Sequence, residues 1–391
     1  MALDVWQTLP IGIFSALKDH DPDEGDAIIG ALEHCEPISE IFLLGLSGAQ
    51  LESCAALMQE TFPILRTLRL SLRDDDAKTP LVISDAFLGG CAPRLRNFNL
   101  CHIPFPTLPR LLLSASHLIE LHLEEIPNTR YISPEAMATC LTALTRLQYV
   151  TIGSQFWTSF PPNQTNQHPP PMTRAVLPSL TKFTFGCVSG EYLDDLMARI
   201  HLPLLNHLHL KFFHQHTLGI PKLPQIIHRI ETFKPPFEAD VHFYDDGTDM
   251  SFSSQVGGRL RLESQRTELD SQLSWLKGIY PQFLTLLSKI NHLKLVDHDM
   301  QDEQDSTPWL EFLQPFSAVQ TLFIYDQNSL KQVVRVLGEL TDERAGEVLP
   351  MLDAIVFFDK SIWDQVRSWL FPLVQPFVDA RQLSGRPVVV R

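Results

Sequence analysis

A fold of short strands alternating with helices, stacked one repeat upon the next, is predicted by the leucines of this 391-residue sequence. The phrase leucine-x-x-leucine-x-leucine begins at Leu65, Leu118 and Leu205, and looser copies recur about every 28 residues. Between phrases the apolar period changes from two to about 3.6, as it does when strands alternate with helices. The sequence therefore predicts an α/β leucine-rich repeat solenoid, a horseshoe with a curved parallel sheet on its concave face and helices on its convex face.

The positions of the phrases divide the chain into parts. We expect an N-terminal capping segment at 1–37, a repeat array of about twelve copies at 38–359 and a C-terminal cap at 360–391. The proline-rich residues 161–171 predict an exposed loop. Residues 231–263 are a degenerate stretch of the array, in which the alternation around Asp245 to Thr248 predicts a hairpin in place of a helix.

Several helices between the phrases can be placed from local signals. Ser133 followed by Pro134 predicts a helix start, because serine caps a helix and proline suits its first position. Apolar residues at helical spacing follow Gly48 and Leu330. Each such stripe must be buried against the sheet, since one repeat cannot bury its own face.

Composition narrows the classes of function. Lys and Arg number 31 against 46 Asp and Glu, a net charge of -15, so we expect no nucleic acid and no membrane as partner. The six cysteines are scattered, without zinc or redox spacing. The first ten residues contain no basic segment followed by an apolar run, which predicts a cytoplasmic or nuclear protein.

We expect a target protein to bind the concave face, where the variable positions of each phrase alternate with buried leucines. An alternative for the aromatic end of that face is that the C-terminal cap covers it. The candidate contact residues are Arg69, His122, Tyr149, Lys182, His207, His209, Lys211, His292, Lys294, Phe323 and Tyr325.

Four histidines in the sequence HLHLKFFHQH are the densest group of possible metal ligands. On a strand, His207 and His209 point to the same side, and two imidazoles at that spacing can share a zinc or copper ion. The alternative function is therefore a metal-binding protein centred on these two residues. Because both occupy variable positions that tolerate any polar residue, we expect a partner contact or a solvated face there, with no metal and no cofactor.

No motif for catalysis accompanies the repeats. The sequence contains no Gly-x-Ser-x-Gly elbow, no phosphate-binding glycine loop, no HExxH and no paired CxxC. We therefore expect a non-enzymatic protein.

Six stretches along the chain have a specific combination of residues. They are FLGGCAPRLRNFNL at 87–100, PFPTLPRLLLSASHLIELHL at 104–123, YISPEAM at 131–137, GGRLRL at 257–262, VQTL at 319–322 and ARQLSGRPVVV at 380–390. Together they resemble a large fungal group of F-box-associated leucine-rich repeat proteins. The resemblance implies the substrate-recognition arm of a cullin-RING ubiquitin ligase, in which the F-box docks on the ligase adaptor and the repeats hold the target.

The resemblance departs from the family pattern at the N-terminus. Family members carry an F-box upstream of the segment similar to LDVWQTLP, which here stands at 3–10. The resemblance therefore implies an adaptor partner only if an F-box is present, and the alternative is a truncated relative without ligase docking. With both ends of the array capped, we expect a monomer.

Overall fold

A computed structural model describes residues 9–16, 22–73, 83–103, 108–125, 132–153, 174–187, 190–213, 220, 222–265, 269–297, 307–325, 327–357 and 363–391. The chain divides into two compact units. Unit 1 is Met1–Leu205 and unit 2 is Asn206–Arg391. The proline-rich loop predicted at 161–171 lies outside the described residues.

Unit 1 consists of parallel strands, most of which come from one copy of the leucine phrase each, joined by connections that are mostly helical. In its main sheet β1, β2, β3, β4, β5, β6 and β8 follow one another in chain order. A small separate sheet pairs β7 with β9. The strands are β1 Ile11–Ala16, β2 Ile38–Leu46, β3 Thr67–Leu72, β4 Asn97–Cys101, β5 Glu120–Glu124, β6 Tyr149–Gly153, β7 Ala175–Val176, β8 Lys182–Cys187 and β9 Ile200–His201.

The helices of unit 1 begin where the sequence supplies caps. Ser47 accepts a hydrogen bond from the backbone of Gln50, whose side chain accepts one from the Ser47 amide in return, and this capping box starts α2. Ser133 caps α4 with Pro134 at its first position, as predicted. The helices are α1 Pro22–Leu32, α2 Gly48–Leu57, α3 Leu108–Ser114, α4 Pro134–Ala143 and α5 Glu191–Arg199, with a short 3₁₀ helix at Phe87–Gly90.

Unit 2 contains a mixed sheet with helices between its strands. The strands are β10 His207–Phe213, β11 Glu238–Tyr244, β12 Gly247–Ser253, β13 Arg259–Gln265, β14 His292–Asp297, β15 Thr321–Ile324, β16 Ala354–Phe357 and β17 Val389–Val390. The helices are α6 Leu223–Arg229, α7 Leu269–Leu287, α8 Thr307–Leu313, α9 Gln327–Gly338 and α10 Trp363–Leu383, with a 3₁₀ helix at Asp342–Gly346.

The predicted hairpin is present in unit 2, and the strands there do not follow one another in chain order. Its spatial order is β10, β13, β12, β11, β14, β15, β16 and β17. Strand β12 runs antiparallel to both of its neighbours, whereas the other pairs in this sheet are parallel. The predicted parallel sheet is therefore interrupted in unit 2 by one antiparallel strand, at the predicted hairpin. A two-residue turn at Asp245 and Asp246 returns the chain at once, which only an antiparallel pair permits.

The leucines of the phrases form the core on one face of each sheet. Leu65, Leu68 and Leu70 are all buried, and the helices pack over this side. In unit 2 the ring of Phe212 on β10 lies 6.2 Å from that of Trp275 on α7. Burial of such side chains stabilises the fold by about 1.5–3 kcal/mol each. The opposite side of most strands carries the more exposed residues, most of them polar.

Both ends of the chain contribute strands to the sheets. Strand β1 lies within 1–37 and pairs with β2, and β17 lies within 360–391 and pairs with β16. The capping role of these two segments and the horseshoe curvature stay predictions.

Candidate functional site

The candidate site is the face of each sheet that points away from the leucines, named here the polar strand face. In unit 1 the strand register brings variable positions of successive strands into one row across the sheet. That row is Phe14, Phe42, Arg69, Asn99, His122, Thr151 and Thr184. A neighbouring row contains Glu120, Tyr149 and Lys182.

The first three residues of the row form an aromatic cluster. The rings of Phe14 and Phe42 are stacked with centroids 4.7 Å apart. The guanidinium carbon of Arg69 lies 5.3 Å from the centre of the Phe42 ring, within reach of a cation–π interaction. Phe14 is 64% exposed, although phenylalanine is usually buried. Stacked aromatic rings with an arginine are the residue types that dominate the energy of protein interfaces.

His122 lies near the middle of the same row, in surroundings that disfavour its charged form. Burial lowers its pKa, and the nearby Glu124 and Glu120 oppose that shift without cancelling it. Its Nε2 atom is 4.0 Å from Glu120. Tyr149 is exposed beside this pair. Among the described residues of unit 1, the polar strand face therefore offers uncharged hydrogen-bonding groups and rings more than ion pairs.

The polar strand face of unit 2 is dominated by ion pairs, which we call the charged network. Its carboxylates come from β11, β12 and β13, and its cations from β10, β13 and β14. The pairs are Lys294 with Glu238 at 2.7 Å and Asp240 at 3.6 Å, Arg259 with Asp240 at 3.3 Å, and Arg261 with Asp249 at 2.8 Å and Glu263 at 3.8 Å; Glu263 also lies 2.8 Å from His209 and 3.9 Å from Lys211.

Around the two arginines of the network, the carboxylates are more deeply buried than the cations. The side chain of Asp249 is 9% exposed, whereas that of its partner Arg261 is 41% exposed. Asp240 is 14% exposed beneath Arg259 at 49%. The carboxylates thus lie low against the sheet with the arginine ends above them, so a molecule approaching β13 meets the cations first.

The network shifts the pKa values of its carboxylates in opposite directions. Burial raises the pKa of Asp249, and Arg261 compensates only in part. Burial would also raise the pKa of Glu263, but the hydrogen bond from His209 and the neighbouring Lys211 outweigh it, so that pKa is lowered. Glu263 is the better-stabilised anion of the two.

His207 and His209 lie on the polar strand face as predicted, but each has its own hydrogen-bond partner. His207 Nδ1 is 2.7 Å from Asn206 Oδ1, and His209 Nε2 is 2.8 Å from Glu263. His214 and His216 lie outside the described residues. Across the part of the chain that the structure describes, no three His, Cys, Asp or Glu side chains are grouped as metal ligands would be.

The remaining predicted contact residues form an aromatic end on β14 and β15. The His292 ring lies 4.4 Å from that of Phe237 and 5.7 Å from that of Phe323. Burial lowers the pKa of His292. Phe323 and Tyr325 are half-buried. Strand β17 pairs edge to edge with β16, extending the sheet beside this end.

Sequence reasoning missed the aromatic cluster and most of the charged network. Phe14 and Phe42 occupy the same alternating positions as Arg69, so extending the alternation to the first two strands would have found them. Arg259 and Arg261 alternate with leucines in the stretch classed as degenerate. The contacts across β12 required the hairpin register, which the alternation does not contain.

No protein-family profile matches the chain, and no curated protein is significantly similar to it. Among solved structures it is similar to the leucine-rich repeat-containing protein LegL7 from Legionella pneumophila. The identity is 12% and the TM-score 0.29, over 97% of this chain and 99% of that one. Values this low support no conclusion about function, and the comparisons do not support the narrower fungal F-box resemblance. Among the described residues, no helix has the length and apolarity needed to cross a bilayer.

Proposed function

We propose that this protein is a non-enzymatic protein-interaction module that binds a partner protein on its polar strand face. The observation that carries the proposal is the aromatic cluster of Phe14, Phe42 and Arg69. A ring as exposed as that of Phe14 has an unfavourable contact with water, which a partner surface would relieve. The predicted contact residues Tyr149, Lys182, His292 and Phe323 belong to the same kind of face, and they extend the proposed surface in each unit.

The proposal is tested by capture of partners from a lysate of the native cells on the tagged full-length chain. Phe14→Ala with Phe42→Ala should lower the amount of the captured partner at least about tenfold, since central aromatic residues carry most of the binding energy. The matched control is Leu113→Ala, which removes an equally exposed apolar side chain from α3. Binding must then be reproduced with the purified partner. Equal losses in the control and the double variant would contradict the proposal.

The sequence resemblance supports a narrower proposal, that the bound protein is presented to a cullin-RING ubiquitin ligase. Under that proposal the captured proteins include the ligase adaptor as well as the target. Quantitative mass spectrometry of the captured material tests it. Repeated recovery of a target without any adaptor would remove the ubiquitin-ligase role and leave the interaction module.

A further inference from the structure

Two arginines of the charged network have hydrogen-bonding capacity beyond their ion pairs. Arg259 and Arg261 both contact their carboxylates through Nη2. Among the described residues, Nη1 of neither side chain takes part in an ion pair. The Nε of Arg261 is buried, so Nη1 is the group of that arginine that remains for a ligand. A guanidinium has five donors and can hold a carboxylate through two of them at once. Each arginine can therefore donate hydrogen bonds from its Nη1 to a further carboxylate.

The spacing of these two arginines matches an extended peptide. Arg259 and Arg261 are two residues apart on β13 and lie on the same face, about 7 Å apart along the strand. Side chains at alternate positions of an extended peptide repeat at the same distance. The adjacent β10 adds Lys211 and His209 beside them.

Charge selects the occupant of this surface. The chain as a whole has a net charge of -15, so an acidic partner is repelled elsewhere. On β13, Arg259 and Arg261 are more exposed than the carboxylates of Asp240 and Asp249 that they contact. An acidic side chain that approaches this strand therefore meets the arginines first. We infer that Arg259, Arg261 and Lys211 bind an extended acidic segment of a partner protein, with Asp or Glu at alternate positions. This inference rests on the proposed function, because its ligand is a segment of a protein.

Synthetic peptides test the inference on the full chain by fluorescence polarisation. The probe alternates aspartate with threonine. One comparison peptide has the same composition with its aspartates consecutive, and another replaces aspartate by lysine. The alternating acidic peptide should bind most tightly. Equal binding of the consecutive or the lysine peptide would overturn the inference, as would tighter binding of single-stranded DNA at the same residues.

A double variant, Arg259→Gln with Lys211→Gln, tests whether these two side chains bind the peptide. Neither of the carboxylates that they contact is left without a cation. Asp240 keeps Lys294 at 3.6 Å, and Glu263 keeps His209 at 2.8 Å, so the fold should persist. Affinity for the alternating peptide should fall roughly three- to thirtyfold, the range for two exposed ion pairs. The matched control, Arg335→Gln with Arg344→Gln, removes two equally exposed charges from helices of the same unit. Equal affinity of the two double variants would overturn the inference.

The peptide-binding experiment and the partner-capture experiment distinguish failure of the inference from failure of the proposed function. If the alternating peptide does not bind but Phe14→Ala with Phe42→Ala still reduces capture of the partner, the inference is wrong and the proposed function stands. If neither that double variant nor Arg259→Gln with Lys211→Gln reduces capture, the proposed function itself is wrong.

Discussion

The polar strand faces of units 1 and 2 share the same leucine-backed strands but differ in chemistry. In unit 1 every main-sheet strand is parallel, and all but β1 come from one phrase each. The row there begins with stacked rings and continues through amide, imidazole and hydroxyl groups. In unit 2 an antiparallel strand is inserted, and acidic and basic side chains alternate across the face. The regular repeats of unit 1 thus give a polar strand face with few ion pairs. The inserted hairpin of unit 2 supplies carboxylates that form ion pairs with the neighbouring strands.

The hairpin explains why the ion pairs occur where they do. Its register places Asp249 directly opposite Glu263, a like-charged pair that is unfavourable across a sheet. Arg261 contacts both carboxylates and offsets their repulsion. Unit 1 has no such opposed carboxylates among the registers of its described strands. Burial lowers the pKa of His122 there, which disfavours its charged form.

Removing the cation that joins the two carboxylates should have the largest effect on stability. Arg261→Gln leaves the nearly buried Asp249 facing Glu263, and we expect a loss of about 1–3 kcal/mol in the free energy of unfolding. Urea denaturation at neutral pH measures it. Arg335→Gln, which breaks an exposed helical pair, should cost at most about 0.5 kcal/mol. Similar losses in the two variants would mean that the network is no more important than a surface pair.

Glu263→Gln should reveal a pH dependence specific to unit 2. The folded-state pKa of Glu263 is lowered, so its ionised form stabilises the fold above the unfolded pKa, and this contribution disappears as the pH falls through the folded value. The unfolding free energy of the wild type should exceed that of the variant by about 0.5–1 kcal/mol at pH 7, and the difference should close as the pH falls from 7 through the folded-state pKa of Glu263. Asp249, with a raised pKa, acts in the opposite sense in both proteins. Urea midpoints across this range measure the difference. A gap that widens on acidification would contradict the account.

Gly12→Ala should change the surface of unit 1 with little change in stability. A Cβ at this position would overlap the Cε2 atom of Phe14, so the exposed ring must leave its place over the strand. We expect a change in unfolding free energy within about 0.5 kcal/mol, because the ring is at the surface. Capture of the partner should nevertheless fall several-fold. Unchanged capture would show that the stacked geometry of Phe14 is not needed for binding.

The smallest expected effect is the titration of His122. Burial lowers its folded-state pKa, so protonation favours the unfolded chain, and stability declines as the pH falls through the unfolded value. An NMR titration assigned with His122→Gln should place this pKa below the 6.5 of an unperturbed imidazole. A value above 6.5 would mean that Glu120 and Glu124 dominate this position.

The positions of the strands and the direction of their side chains were predictable from the sequence, whereas the spatial order of the strands in unit 2 was not. Leu65, Leu68 and Leu70 are buried with Arg69 on the opposite side, because alternation alone decides which way a strand side chain points. The exchange of β11 and β13 was not predictable in this way, since the apolar pattern of a strand does not specify its neighbour. The depth of Asp249 beneath Arg261 depends on that neighbour as well.

Cross-linking from single positions tests most directly the claim that partners bind the polar strand face. A photo-reactive benzoylphenylalanine can replace Asn99, in the middle of the row in unit 1, or Glu52, which is exposed on α2 of the same unit. We predict that the captured partner cross-links to position 99 and not to position 52. Cross-linking to position 52 with none at position 99 would contradict the account.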